Sequence, residues 1–284
     1  WEIPQDAISS RGFVQLGYLN GLGEICLVAS KLAQDLLLFD TFEYGMIGLG
    51  DEVAQRLHPI TGSSVMAQKK NPDVLELIRS TAPQVIGYAN IVANILDSLP
   101  MGYNRDSREV KEYIDLGLTK TKVMIKTLEK VLATIKINKK KMQNAVEENY
   151  SLTTDLADFI SQKSGIGYRL IYKIIGQVVD EAINKGKLLK QISADEIKNI
   201  ALINNVKLEL TDEEIKKAID PQLVIEKRNH LGGSSTSSMK QSLKNAQNAI
   251  KDVVQSVNKK SLVFSGAKKK TDLIVNNLIQ KYGT

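Results

Sequence analysis

Two polar stretches of the sequence carry residue types suited to proton transfer and to carboxylate binding. Residues 60–80, ITGSSVMAQKKNPDVLELIRS, place a Gly-Ser-Ser turn, two adjacent lysines and an Asn-Pro step ahead of a predicted helix. Residues 99–112, LPMGYNRDSREVKE, bring tyrosine, asparagine, arginine and lysine together. A cation and an amide donor stabilise a carboxylate that gains charge during a reaction. Both stretches are therefore compatible with a pocket for an anionic small molecule.

Long amphipathic segments flank these polar stretches. Apolar residues recur with helical spacing over three segments: 13–42, 73–98 and 110–135. The first segment exceeds the ~8 to 20 residues usual for a globular helix, which is typical of helices that span a bundle. Asn71 followed by Pro72 and Asp73 predicts the second helix start, with Asn71 as the capping residue. We therefore predict that residues 1–136 form a central long-helix bundle carrying the active-site loops.

The pattern changes after residue 136, where shorter periodic units follow one another. Ser193 and Thr211 each stand three residues before a glutamate, which predicts capping boxes at two helix starts. The last part of the chain predicts two helices, over 237–260 and 262–284. Residues 137–284 are therefore predicted to form a smaller C-terminal helical domain, and the fold class is all-α.

The composition supports the all-α class and argues against nucleic-acid and membrane partners. Of 284 residues, 43% are hydrophobic and only 5% aromatic, and there are six prolines, which favours long aliphatic helices over a β-sandwich. The net charge is +6, but the lysines are scattered and no arginine-rich stretch accompanies them, so we predict no nucleic-acid partner. No run approaches the ~18 to 20 apolar residues of a membrane span, and we predict no membrane association.

The cysteine and histidine residues of the sequence indicate neither a metal site nor a disulfide. The single cysteine, Cys26, rules out an internal disulfide framework and stands among aliphatic residues, which indicates a buried thiol. His58 and His230 are far apart in the sequence and do not suggest a metal pair. We predict no metal site, no cofactor and a cytoplasmic location. The start at Trp1 without a visible signal peptide leads us to expect a fragment.

The two polar stretches resemble a known family. GSSVMAQKKNPD resembles the signature loop of the fumarase/aspartase superfamily, and its QKKNPD part resembles argininosuccinate lyases in particular. DAISSRGF (6–13) and LPMGYNRDSREVKE are similar to two further motifs of these enzymes, and TDLADFI and RNHLGGSS are similar to parts of their C-terminal domain. The resemblance covers most of the chain in order. It implies reversible β-elimination of argininosuccinate to arginine and fumarate, in arginine biosynthesis, by a homotetramer whose active sites draw loops from three subunits.

The resemblance also implies roles for individual residues. Ser63 matches the base, Lys69 matches a residue that holds the carboxylates of the substrate, and Glu76 matches the acid that orients a catalytic histidine. The matched substrate-binding positions are Asn71, Arg11, Tyr103, Arg108 and Lys111. The sequence departs from the family motifs at three positions. Ala67 replaces a proline, Gly12 replaces an aspartate, and Arg108 replaces a glutamine.

Two alternatives remain open at the level of sequence. The family's N-terminal segments, including the one with its catalytic histidine, have no match here, so we expect that this chain alone does not contain that histidine. One alternative is another lyase of the superfamily, such as adenylosuccinate lyase or aspartase, against which Gln68-Lys69-Lys70 argues. The other is an inactive structural scaffold, as in the related lens crystallins.

Overall fold

The computed structural model describes residues 3–50, 61–62 and 70–282 and confirms the all-α class. Within these residues the chain forms eleven α-helices and two small antiparallel sheets of two strands each. The helices are α1 Pro4–Ser9, α2 Phe13–Asp40, α3 Asp73–Leu96, α4 Val110–Thr134, α5 Lys139–Glu147, α6 Thr153–Ser164, α7 Tyr168–Asn184, α8 Ala194–Ile203, α9 Asp212–Ala218, α10 Pro221–Lys227 and α11 Thr236–Tyr282. The strands are β1 Ile47–Gly48, β2 Thr61–Gly62, β3 Lys70–Asn71 and β4 Lys136–Ile137.

Helices α2, α3 and α4 pack on one another and form what we call the long-helix bundle. Its core consists of aliphatic side chains from all three helices and includes Leu19, Leu75, Val85, Val92, Val110 and Val131, each with less than 2% of its surface exposed. Close packing requires a glycine at one position. A Cβ on Gly117 would stand 2.6 Å from Cδ2 of Leu19, so α2 and α4 approach each other closely here.

A polar contact lies inside this apolar core. The buried Cys26 thiol is 3.3 Å from Oγ1 of Thr121, and that hydroxyl donates to the carbonyl of Gly117 at 2.8 Å. Burial raises the pKa of Cys26, and the Thr121 hydrogen bond offsets this in part. The predicted buried thiol is therefore confirmed.

Contacts divide the chain into two compact units, residues 1–145 and 146–284. The predicted boundary at 136/137 falls earlier. In the structure β4 pairs with β1, with Ile47 opposite Ile137, and Met142 packs against the core of the bundle. The segment after residue 136 thus belongs structurally to the first unit.

The second unit contains helices α6–α10, which we call the short-helix cluster. They surround a core whose most deeply buried large side chains are Leu156, Ile160, Ile171, Ile174, Ile197 and Ile215. Both predicted capping boxes are confirmed, because the hydroxyls of Ser193 and Thr211 each accept from the amide of the glutamate three residues later. The helices of the cluster are therefore short but individually well terminated.

Two predictions about helix ends are wrong. The two helices predicted near the C-terminus are one continuous helix, α11, which has 47 residues. Asn71 does not cap α3. It pairs with Thr61 in the small β2–β3 sheet, and Pro72 occupies the N-cap position without a capping side chain. Among the described residues, no helix is both long enough and apolar enough to cross a membrane.

Candidate functional site

The first polar stretch is held at both ends by the β2–β3 pair. Thr61 lies opposite Asn71 and Gly62 opposite Lys70, which places residues 61–62 and 70–71 side by side. Ser63 and Lys69, the predicted base and carboxylate ligand, lie between the strands and outside the described residues. Asn71 is half-buried and ends β3. The pairing fixes where the predicted catalytic loop leaves the bundle.

Glu76 stands in the first turn of α3, close to that loop. Its side chain is exposed and lines a groove of about 380 Å³ between the C-terminal end of α2 and the N-terminal end of α3. Arg79, three residues further on, lines the same groove and donates from Nη1 to Oε1 of Gln34 at 2.7 Å. Arg79 belongs to none of the motifs in the sequence. Its i+3 spacing from Glu76 is the signal that places both on one face.

Hydrogen bonds within the second polar stretch determine its shape. Nδ2 of Asn104 donates to the carbonyls of Pro100, at 2.6 Å, and Gly102, at 3.3 Å. The buried hydroxyl of Ser107 donates to the carbonyl of Asn104 at 2.8 Å. These bonds satisfy backbone groups that no helix or strand satisfies. The stretch is therefore a defined loop, which ends in the 3₁₀-helix Arg105–Arg108.

Arg11 and Tyr103, which are far apart in sequence, meet in the structure. The guanidinium carbon of Arg11 lies 5.0 Å from the centroid of the Tyr103 ring, within cation–π range. Tyr103 is 67% exposed, so it is not a core aromatic of this chain. Arg11 also lines a cavity of about 100 Å³ with residues of the second loop. The hydroxyl of Ser9 lines it too and is buried, with no hydrogen-bond partner in the part of the chain that the structure describes.

Arg108 and Lys111 follow Tyr103 closely in the sequence. Arg108 ends the 3₁₀-helix and Lys111 is in the first turn of α4, and both side chains are exposed. Three cationic side chains therefore project near the start of α4. The acids Asp106, Glu109 and Glu112 lie in the same stretch, so the three cations offer individual donors to a carboxylate and not a uniformly positive surface.

The predicted site residues do not all lie together. Leu96, the last residue of α3, lines the Arg11 cavity, whereas Glu76 is in the first turn of the same helix. At 1.5 Å per residue, about 30 Å of helix separates them. Within one chain, the Asn71–Glu76 group and the Arg11–Tyr103 group therefore occupy opposite ends of α3.

One departure from the family motif has a structural reason. Gly12 precedes α2 with φ +95°, a left-handed conformation that disfavours a side chain. A Cβ at this position would also stand 2.5 Å from Cδ2 of Leu96. The backbone here therefore accommodates glycine and would be strained by an aspartate.

Comparison with known proteins connects both units to lyase families. Residues 150–226 match the family described as argininosuccinate lyase C-terminal, and residues 4–87 match the family described as lyase. The argininosuccinate lyase of Rippkaea orientalis is 35% identical over 243 residues, which cover 85% of this chain and 49% of that protein. The argininosuccinate lyase of Methanocaldococcus jannaschii is 31% identical over 246 residues, covering 86% of this chain and 48% of the relative. The chain thus spans about half the length of these curated relatives.

The fold agrees with the sequence comparison. The crystal structure of EDDS lyase in complex with formate matches with a TM-score of 0.77 and 27% identity, over 97% of this chain and 52% of that chain. Sequence matches lie in both units, and the structural match extends through nearly the whole chain. Both units therefore match lyase family models, and the chain is similar to about half the length of argininosuccinate lyases.

Proposed function

We propose that this protein acts as a carbon–nitrogen lyase, which reversibly cleaves argininosuccinate into arginine and fumarate in arginine biosynthesis. The similarity to argininosuccinate lyases supports the reaction, and the exposed cations Arg11, Arg108 and Lys111 suit a substrate that carries carboxylates. The substrate is a small molecule, and the reaction uses no cofactor. We place it in the cytoplasm, where reducing conditions suit the free thiol of Cys26.

The second part of the proposal is that each active site is shared between subunits. It rests on the separation of the two residue groups along α3. Argininosuccinate is much shorter than the roughly 30 Å that separates the two groups, so one molecule cannot contact both groups of the same chain. Each active site therefore combines the Asn71–Glu76 end of one subunit with the Arg11–Tyr103 end of another. A homotetramer with several long-helix bundles side by side provides such pairings.

The surface of the bundle supports this assembly. Several large apolar side chains of α2 are exposed, including Val14 at 77% and Val28 at 71%. A groove of about 390 Å³ between α3 and α4 is lined by Leu77, Val123 and Met124 among others. Apolar helix faces of this extent are normally covered by another helix. In our proposal, bundles of neighbouring subunits cover them.

The proposed chemistry separates proton transfer from charge stabilisation. Ser63 takes a proton from the carbon next to a carboxylate, and the electron pair left behind is held as an aci-carboxylate. Lys69 and Asn71 stabilise that charge. The C–N bond then breaks, its electrons leave with the nitrogen, and a proton is delivered to the leaving group. Glu76 orients the histidine that serves this acid–base step.

The other end of the bundle binds the substrate. Arg11 and Lys111 offer cations to carboxylates, and the Tyr103 ring fixes the orientation of the Arg11 guanidinium. Arg108, which stands where the family has glutamine, adds a third cation at this end. These residues hold charge that is present before and during the reaction, so they contribute to binding as well as to rate.

Fumarate release from three substrates tests the proposed activity. The full gene product is incubated with argininosuccinate, adenylosuccinate or aspartate, and fumarate is followed by its ultraviolet absorbance. We expect release from argininosuccinate alone. Release from another substrate would reassign the chain to a different lyase activity, and no release from any of them would favour a structural role.

A further inference from the structure

Helix α11 is the longest helix among the described residues, and almost all of its surface is exposed. It runs from Thr236 to Tyr282, about 70 Å at 1.5 Å per residue. Its large apolar side chains are left exposed by the described residues, with Ile250 at 63%, Val257 at 58% and Phe264 at 75% exposure. Long helices owe most of their stability to packing of an apolar face, so this face calls for a partner.

The apolar residues of α11 follow a regular repeat. They form a stripe, which we call the seam, at alternating steps of four and three residues: Met239, Leu243, Ala246, Ile250, Val253, Val257, Lys260, Phe264, Ala267, Thr271, Ile274 and Leu278. All but Lys260 and Thr271 are apolar. The mean spacing of 3.5 residues, kept over more than five heptads, is the repeat of a coiled coil.

This period also argues against a flat partner such as a membrane surface. A straight α-helix has 3.6 residues per turn, so a stripe with a period of 3.5 rotates by about 20° per heptad. Over the length of α11 that rotation reaches roughly 100°. The seam stays on one side only when two helices wind around each other. The partner of α11 is therefore another helix.

The charges beside the seam indicate which helix is the partner of α11. Although α11 has nine lysines and two aspartates, the positions that flank the seam between residues 241 and 267 are uncharged: Ser242, Gln247, Ala249, Val254, Ser256, Ser261 and Val263. An acidic partner would find no cation there to pair with. A second α11, parallel and in register, places Lys268 beside Val263 and Lys270 beside Val275, so no two lysines oppose each other across these flanks.

We propose that α11 forms a parallel two-stranded coiled coil with α11 of a second copy of this chain. Parallel alignment confines both copies of Lys260 to one layer of the seam, where their long side chains reach solvent. Antiparallel alignment would place each Lys260 against an apolar residue and disturb two layers. The one charged layer, at Lys260, also fixes the register of the pair.

Disulfide trapping in the full chain tests this pairing at one position. Val253 lies on the seam and Leu262 on the opposite face, and they are similarly exposed at 62% and 73%. In a parallel pair, cysteines at position 253 of the two copies meet at disulfide distance. We expect Val253→Cys to form a covalent dimer under mild oxidation and Leu262→Cys to remain monomeric on a non-reducing gel. Cys26 is buried and present in both variants.

A second pair of variants separates seam pairing from accidental collision. Ile250→Glu with Val257→Glu should abolish the covalent dimer of Val253→Cys, whereas Leu262→Glu with Leu273→Glu should leave it unchanged. Helicity is checked by circular dichroism in each case. Failure of Val253→Cys to cross-link, or equal cross-linking at Leu262→Cys, would overturn the proposal. The readout does not involve fumarate and is independent of the proposed lyase activity.

Discussion

The long-helix bundle and the short-helix cluster differ in how far their own residues pair the charged side chains and cover the apolar ones. In the cluster, capping boxes begin two of the five helices, and ion pairs join neighbouring segments, such as Lys163 with Glu214 at 2.5 Å and Arg228 with Asp155 at 3.1 Å. In the bundle, three long helices share a core but leave residues such as Val28 exposed. The cluster is locally complete, whereas the bundle presents surfaces for further copies.

The difference agrees with the proposed division of labour. All the predicted site residues fall on the bundle side of the chain, between Arg11 and Lys111. A site shared between subunits requires helices that reach from one end of an assembly to the other, which α3 provides. The cluster needs only to fold as a unit. Each of the following variants therefore has a matched partner in the other region or on another face.

The largest effect is expected at the catalytic loop. Ser63→Ala in the full gene product should lower kcat by about 10² to 10⁴, the usual loss for one acid–base group, with substrate binding largely intact. Fumarate release and substrate binding are measured separately. Asp155→Asn in the cluster should leave kcat nearly unchanged. If Ser63→Ala kept more than about a tenth of wild-type kcat, serine would not be the base.

A loss of assembly is expected from a charge on the bundle. Val28→Asp places a carboxylate on an apolar face that the proposed tetramer buries, and burying an unpaired charge is costly. Analytical ultracentrifugation should show smaller species than the wild type. Ile203→Asp is the matched change in the cluster, since Ile203 is 77% exposed, and it should leave the assembly unchanged. Identical sedimentation of both variants and the wild type would contradict the tetramer proposed here.

The smallest effect is a pH-dependent loss of stability in the cluster. Lys187 donates to Glu196 at 2.6 Å, and this bond, with the amide of Ser193, lowers the pKa of Glu196 to about 2. A lowered folded-state pKa stabilises the fold above the ordinary pKa of 4.5, and this stabilisation is lost as the pH falls towards 2. Glu196→Gln should therefore cost about 0.5 to 1 kcal/mol at pH 7.

Denaturant titrations at several pH values check this expectation. The difference between wild type and Glu196→Gln should shrink as the pH falls from about 5 to 2, because the wild-type carboxylate becomes protonated there. Asp158→Asn, on the exposed face of α6, should cost about 0.5 kcal/mol or less. A difference that does not change with pH would show that the charge of Glu196 is not what stabilises the cluster.

Local sequence signals predict the helical segments, whereas contacts between residues that are distant in the sequence have no local signal. Helices α8 and α9 begin directly after Ser193 and Thr211, as the two capping boxes in the sequence predict. The break predicted within α11 was wrong because Lys259, Lys260 and Ser261 interrupt the apolar texture without interrupting the heptads. The sequence neighbours of Asn71 predict a helix cap, whereas pairing with Thr61 determines its conformation.

For the site, the sequence indicated the residue types but not their positions. The contact between Arg11 and Tyr103 depends on how α1 and the second loop meet at the end of α3, which no local pattern encodes. The distance between Glu76 and that end follows only once α3 is seen as an uninterrupted helix through Pro83. Ser63 and Lys69 lie outside the described residues, and their roles stay predictions.

Complementation between two variants tests the shared active site most directly. Ser63→Ala and Arg11→Ala change opposite ends of α3, and each alone should strongly reduce fumarate release from argininosuccinate. When the two variants are co-expressed in equal amounts, random mixing leaves about a quarter of the sites with both ends intact. We predict that the purified mixture recovers about a quarter of wild-type activity. Activity no higher than the mean of the two single variants would contradict a site assembled from different subunits.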